Sequence, residues 1–137
     1  MKKLHIHISV PDLAESIIFY TGLFDSEPNK IKSDYAKWDL EDPRVNFAIS
    51  TRSQKFGLDH LGIQVETEAE VENIKYRLEQ ASQPAGETKT GVCCYAKSTK
   101  SWSLDKAGIP WESFVTMKHA EVYGTDTLAD DNAGCCA

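Results

Sequence analysis

Hydrophobic and polar positions first alternate with a period of two, then recur with a period near 3.6, and this succession occurs twice along the chain. Residues 4–10 place Leu4, Ile6, Ile8 and Val10 on one face and His5, His7 and Ser9 on the other, which predicts a half-buried strand. Pro11 stops it. Asp12 then offers a carboxylate to the free N–H groups of a helix start, with Glu15 three residues on as its capping-box partner. Leu13, Ile17, Tyr20 and Leu23 repeat at helical spacing, so an amphipathic helix is expected to end near Gly22. Short extended segments follow at 30–33, 35–40 and 45–50, with Glu41-Asp42-Pro43 turning between the last two.

The pattern then restarts. Residues 58–65 read as a strand, Thr67 and Glu70 as a second capping box, and Val71, Ile74 and Leu78 as a second helix face, broken by Pro84 and Gly86. Further extended segments are expected at 85–88, 101–104 and 111–117. The order β-α-β-β-β thus appears twice at a spacing of roughly 55 residues. Two copies imply an α+β fold in which inward-facing side chains of both modules converge on one half-open, barrel-like cavity. Modules at about 1–52 and 56–118 make one domain of residues 1–118. The stretch 119–137, rich in Asp, Gly and Ala, reads as a flexible tail.

Length and charge narrow the partners. The chain has 137 residues, 15 Lys+Arg against 21 Asp+Glu, and a net charge of −6, which speaks against nucleic acid because phosphate binding needs clustered cations. No apolar run reaches the ~18–20 residues needed to span a bilayer. Two histidines interrupt the apolar stretch behind Met1-Lys2-Lys3, so a secretory leader is not expected. The expectation is a cytoplasmic protein, as monomer or homodimer.

The four cysteines fall as two adjacent pairs, Cys93-Cys94 and Cys135-Cys136. Sequence neighbours rarely form a disulfide with each other, because the small ring strains the peptide and the S–S torsion. In a reducing compartment each pair is a free dithiol, a chelate for Cu(I), Zn(II), Cd(II) or trivalent arsenic. On the strands that open and close the modules, the polar residues of interest are His5, His60 and Glu112, since equivalent positions of two copies face the same space. Strand geometry does not separate His5 from His7, because residues two apart share a face.

His5-Ile6-His7-Ile8-Ser9-Val10-Pro11-Asp12-Leu13, followed by Ser16-Ile17-Ile18-Phe19-Tyr20, resembles the opening module of the vicinal oxygen chelate (glyoxalase/bleomycin-resistance/dioxygenase) superfamily. Asp59-His60-Leu61-Gly62-Ile63-Gln64-Val65 resembles its second opening, and Trp111-Glu112 its closing strand. The stretch from Gly91 through Cys93-Cys94 to Trp102 is similar to the signature of the ArsI carbon–arsenic lyases and the related cadmium-induced protein CadI.

The resemblance implies that His5, His60 and Glu112 hold a metal, with His5 preferred to His7 by its place in the motif. It also implies that Cys93 and Cys94 are the catalytic, arsenic-binding pair. Many glyoxalases of the superfamily add a carboxylate from the end of the first module; residues 44–50 here contain none. Two His and one carboxylate with open positions suit non-haem Fe(II) handling O₂. The implied reaction is O₂-dependent cleavage of the C–As bond of a trivalent methyl or aryl arsenical to arsenite. Lys97 and Lys100 would favour thiolate if near the pair. His7, Cys135 and Cys136 are further accessory candidates, and Tyr20, Tyr35, Trp38 and Trp102 are candidates to line a ring-sized pocket. The segment around Cys93-Cys94 reads as a mobile arm between strands. Two alternatives stand beside this reading. One is a thiol protein that sequesters Cd(II) or arsenite; the other is a different activity of the superfamily, such as ring-cleaving dioxygenase, glyoxalase or antibiotic thiol transferase.

Overall fold

A computed structural model describes residues 1–83, 86, 89–93 and 96–119. The expected extended segment at 85–88 is outside these apart from Gly86, as are Cys94, the expected tail from residue 120, and Cys135 and Cys136. The elements are β1 (Lys3–Ser9), α1 (Leu13–Phe24), β2 (Lys30–Lys32), β3 (Tyr35–Glu41), β4 (Arg44–Ser50), β5 (Gly57–Gln64), α2 (Glu68–Gln80), β6 (Lys89–Cys93), β7 (Ala96–Leu104) and β8 (Pro110–His119). Both helices begin as the sequence indicates. The Asp12 carboxylate accepts from the Glu15 N–H at 3.0 Å, and Thr67 Oγ1 accepts from the Glu70 N–H at 3.2 Å.

The strands form one 8-stranded sheet in the order β2-β3-β4-β1-β5-β8-β7-β6. Each module contributes four adjacent strands in the same order from the centre outward. β1 lies parallel to β4 just as β5 lies parallel to β8, and the two opening strands join the halves antiparallel. In that central pairing His5 stands opposite Gly62 and His7 opposite His60. A pseudo-twofold axis between the two pairs therefore exchanges His5 with His60 and His7 with Gly62. Carried outward, it exchanges Ala48, paired with His7, and Glu112, paired with Gly62.

One face of the sheet is apolar and covered by the helices. Val10, Ala36, Trp38, Val45, Phe47 and Ile49 form the first core, packed by Leu13, Ile17, Tyr20 and Phe24 of α1; Val65, Val71 and Val115 form the second, with Ile74 of α2. Leu23, expected on the buried face of α1, is exposed and Phe24 takes its place. The helix runs two residues past Gly22, and seven residues from Ile17 close two full turns at Phe24. Asp25 ends it in the left-handed region at φ 50°.

The other face carries His5, His7, Ser9, Lys37, Asn46, Ser50, His60, Lys100 and Glu112, all buried although neither α1 nor α2 packs there. The sheet itself curls around them without closing into a barrel. Tyr20 and Trp38 belong to the helix-covered core, whereas Tyr35 and Trp102 share the polar face, so the four expected pocket aromatics divide between two sides.

The two modules are not equally filled. The Trp38–Phe47 pair of β3 and β4 corresponds to Ser103–Trp111 of β7 and β8. Where the indole of Trp38 packs against Tyr20, Phe24 and Phe47, the second module has a cavity of about 450 Å³ lined by Ile63, Ile74, Leu78, Ser103 and Trp111, among others. No helix among the described residues is long and apolar enough to cross a membrane. Trp38 is fully buried and donates its indole N–H to the Ser26 carbonyl at 2.8 Å. Trp38→Ala is expected to lower unfolding free energy by about 3–5 kcal/mol in urea titrations.

Candidate metal centre

The polar face converges on His60. Its Nε2 lies 3.1 Å from His5 Nε2 and 3.4 Å from Glu112 Oε2. All three residues are at most 1% exposed. The structure therefore brings together the three residues singled out in the sequence, from β1, β5 and β8.

Backbone register explains how. His5, Gly62 and Glu112 stand side by side across the three central strands, on one face. Glycine in the middle leaves space for the flanking side chains to meet above it. A Cβ at position 62 would come within 2.6 Å of the Glu112 carbonyl oxygen and 3.3 Å of the His5 ring.

Each imidazole is held by its other nitrogen. His5 Nδ1 donates to the Asn46 carbonyl at 3.0 Å, and His60 Nδ1 donates to Asp59 Oδ2 at 2.7 Å. Both acceptors lack a proton to give, so these bonds set the tautomers and turn the Nε2 lone pairs toward each other. The Asp59 contact depends on an irregularity. Residues 59 and 60 of a regular strand face opposite sides, but the β1–β5 register shifts after His7, leaving Asp59 as the extra residue of a bulge. Its carboxylate thereby sits beside the next residue's ring, within 3.4 Å of Ser9 Oγ. The Asp59-His60 dipeptide is visible in the chain, yet alternation alone predicts that the two side chains point apart.

Burial controls the charges. It holds the His5 and His7 pKa values well below the usual imidazole range, reinforced by the neighbouring histidines. Burial also pushes the Glu112 carboxyl up to about 7, against the downward pull of Lys100, whose Nζ lies 3.4 Å from Oε1. Lys100, expected as a cation of the arm near the cysteines, instead lies in β7, 6% exposed.

Among the described residues the contacts of the Glu112 oxygens are long, Lys100 Nζ at 3.4 Å from Oε1 and His60 Nε2 at 3.4 Å from Oε2. Two imidazole nitrogens thus meet, at one buried point, a carboxylate faced by the Lys100 ammonium, a donor set that a further cation would stabilise. Donor atoms in cis positions around a first-row dication stand about 3 Å apart, so the spacing fits. His7 joins the cluster as well: its ligating nitrogen lies within 4.8 Å of those of His5 and His60. Its Nε2 is 2.9 Å from Ser50 Oγ, and its Nδ1 has no hydrogen-bond partner.

The position related to Glu112 by the pseudo-twofold is Ala48, fully buried. Where a symmetric site would carry a fourth ligand, this one has a methyl group. Phe114 and Trp102 close the opposite side, edge-on to His5 at 5.2 Å and to His60 at 5.0 Å between ring centroids.

The thiol region is paired backbone through Cys93. Gly91 stands opposite Ser98 and Cys93 opposite Ala96 in the β6–β7 hairpin, so most of the expected arm is strand. Cys94 lies outside the described residues, as do the side chains of Cys93 and Lys97.

The fold is that of the vicinal oxygen chelate class. Among solved structures, homoprotocatechuate 2,3-dioxygenase from Arthrobacter globiformis matches 87% of this chain and 37% of its own, with TM-score 0.63 and 18% identity. A glyoxalase/bleomycin resistance protein/dioxygenase superfamily member from Vibrio splendidus 12B01 matches 85% of this chain and all of its own, with TM-score 0.59 and 11% identity. No family model matches the chain.

Curated relatives are more specific. A trivalent organoarsenical cleaving enzyme of Bacillus sp. (strain MD1) is 41% identical over 91% of this chain and 80% of its own length. A probable trivalent organoarsenical cleaving enzyme of Bacillus subtilis (strain 168) is 37% identical over 99% and 91%. The chain belongs to the family of trivalent organoarsenical cleaving enzymes. Gly62→Ala is expected to force β5 and β8 apart and to cost about 1–3 kcal/mol, read from the denaturation midpoint.

Proposed function

We propose that the protein is an Fe(II)- and O₂-dependent carbon–arsenic lyase acting on trivalent organoarsenicals. The observation that carries this reading is the buried meeting of the His5 and His60 Nε2 atoms with the Glu112 carboxylate. His5, His60 and Glu112 would hold the metal, and this donor set with open positions suits non-haem Fe(II). When bound, the metal supplies the redox chemistry of O₂. Asn46 and Asp59 fix the imidazole orientations, as outer partners of metal-bound histidines generally do. Trp102 and Phe114 limit water around the two rings.

Cys93 and Cys94 are assigned the arsenic. A trivalent methylarsenical carries two exchangeable hydroxyls and one inert As–C bond, so two thiols displace the hydroxyls, each thiol proton leaving with one as water, and leave the carbon free. Family membership and the adjacency of the two thiols support this assignment. The overall change balances as CH₃As(OH)₂ + O₂ giving As(OH)₃ + HCHO: the As–C bond breaks, the carbon is oxidised and dioxygen is reduced. Lys100 neutralises part of the Glu112 charge inside the cavity. His7, Lys97, Cys135 and Cys136 are accessory in this reading, and the cytoplasm is the proposed location.

Anaerobic loading with Fe(II), then methylarsenite and air, is expected to release arsenite and formaldehyde in step with O₂ consumption. Glu112→Gln should bind the arsenical and release no product, whereas Cys93→Ser should lose binding. Tight binding without O₂ uptake by the unaltered protein would point to sequestration and overturn the reading. Asp59→Asn is expected to weaken divalent-metal affinity by about 10–100-fold in a Co(II) titration followed by absorbance.

A further inference from the structure

The pseudo-twofold axis exchanges two unequal pairs. In the second module Gly62 is the cross-strand partner of Glu112; in the first, His7 is the partner of Ala48. Each half therefore sets one donor-bearing side chain beside one small residue, with the donor on the outer strand in one half and on the inner strand in the other. His7 stands directly opposite His60, and their ring centroids are 4.9 Å apart, against 5.1 Å between His60 and His5. One nitrogen of each of the three rings lies within 4.8 Å of those of the other two.

The His7 ring repeats the bonding of its neighbours. Its Nε2 is held by Ser50 Oγ at 2.9 Å, while Nδ1 is buried without a hydrogen-bond partner. A buried N–H without an acceptor is the rarer arrangement, so the proton belongs on Nε2, donated to Ser50. Nδ1 then presents a bare lone pair, as Nε2 does in His5 and His60. Packing alone does not account for a histidine here, because a phenyl ring would fill the same place and leave no nitrogen unsatisfied.

We propose that His7 is a fourth protein ligand of the metal, through Nδ1, so that the donor set is three histidines and one glutamate. His7 takes the side of the cluster where the symmetric site would draw a second carboxylate from position 48. An octahedral dication sets its donors about 3 Å apart in cis and about 4 Å apart in trans positions, so a small rotation of the His7 side chain closes the remaining distance. Two of six positions stay open, and the arsenical, assigned to the thiols, needs neither. This deepens the proposed function and rests on its metal site.

The test uses Mn(II), which prefers oxygen and nitrogen donors to thiols, added to the full-length protein without Fe(II). The chain has four histidines, so a His119→Gln reference protein leaves His5, His7 and His60 as its imidazoles. Titration followed by the EPR signal of free Mn(II) gives the affinity, and pulsed EPR of protein labelled with ¹⁵N-histidine counts the imidazoles on the bound ion. The reference protein is expected to show three. His7→Phe should show two, keep or raise the metal-free Tm and bind Mn(II) about 10–100-fold more weakly. Ser50→Ala should keep three imidazoles and lose about tenfold in affinity, as when an outer partner is removed. Two imidazoles in the reference protein overturn the proposal. So does a count that His7→Phe leaves unchanged, which with weakened binding marks a packing residue. Failure of Mn(II) to bind the reference protein overturns it together with the metal site. If the count falls from three to two but the Fe(II)-loaded protein releases no arsenite in air, the lyase reading alone fails and His7 stands as a ligand.

Discussion

The antiparallel pairing of β1 with β5 is the constraint on which the rest depends. It sets His7 opposite His60 and His5 opposite Gly62, and so defines the pseudo-twofold that relates the modules. Because β4 and β8 attach in parallel on either side, the same register delivers Glu112 beside Gly62 and Ala48 beside His7. A slip of one residue would turn every histidine of β1 to the helix-covered side and expose its apolar partners. The apolar alternation that packs Ile6 and Ile8 against the first core therefore also aims His5 and His7 at the centre.

Symmetry supplies the frame, and its local failures supply the chemistry. Ala48 in place of a second carboxylate leaves one side of the cluster without an acid. Gly62 in place of a second His7 provides the clearance through which His5 and Glu112 reach His60. The bulge at Asp59 gives His60 a carboxylate partner, while His5 is held by the carbonyl of Asn46. A carboxylate strengthens the donor character of its histidine more than a carbonyl does, so the two imidazoles are not equivalent donors. On the helix side the same divergence appears as Trp38 against Ser103, a filled core against a cavity.

Much of this was legible along the chain because it follows from period and capping. The repeated strand and helix openings are local features, and the N-caps at Asp12 and Thr67 form between residues three apart. His5, His60 and Glu112 were found through the repeat, since equivalent positions of paired modules face one space. Leu23 was misplaced because a two-residue extension of α1 brought Phe24 onto the buried stripe. A short run of Lys, Ser and Thr resembles a loop and suggests Lys100 as a cation near the thiols; pairing with both β6 and β8 makes it interior. The contact of Asp59 with the His60 ring carries no signal in the alternation, since a bulge is a relation between distant strands.

The sequence by itself determined the two β-α-β-β-β modules, the helix starts, the two-histidine, one-glutamate set and the vicinal thiols. These depend on spacing within a segment or on comparison of one segment with its repeat. Only the tertiary structure decided which nitrogen each imidazole presents, that Glu112 is buried beside Lys100, and that Ala48 occupies its mirror position. Each of these is set by what stands across a strand or on the neighbouring one, where side chains dozens of residues apart share a few ångströms of low-dielectric space and desolvation fixes their protonation.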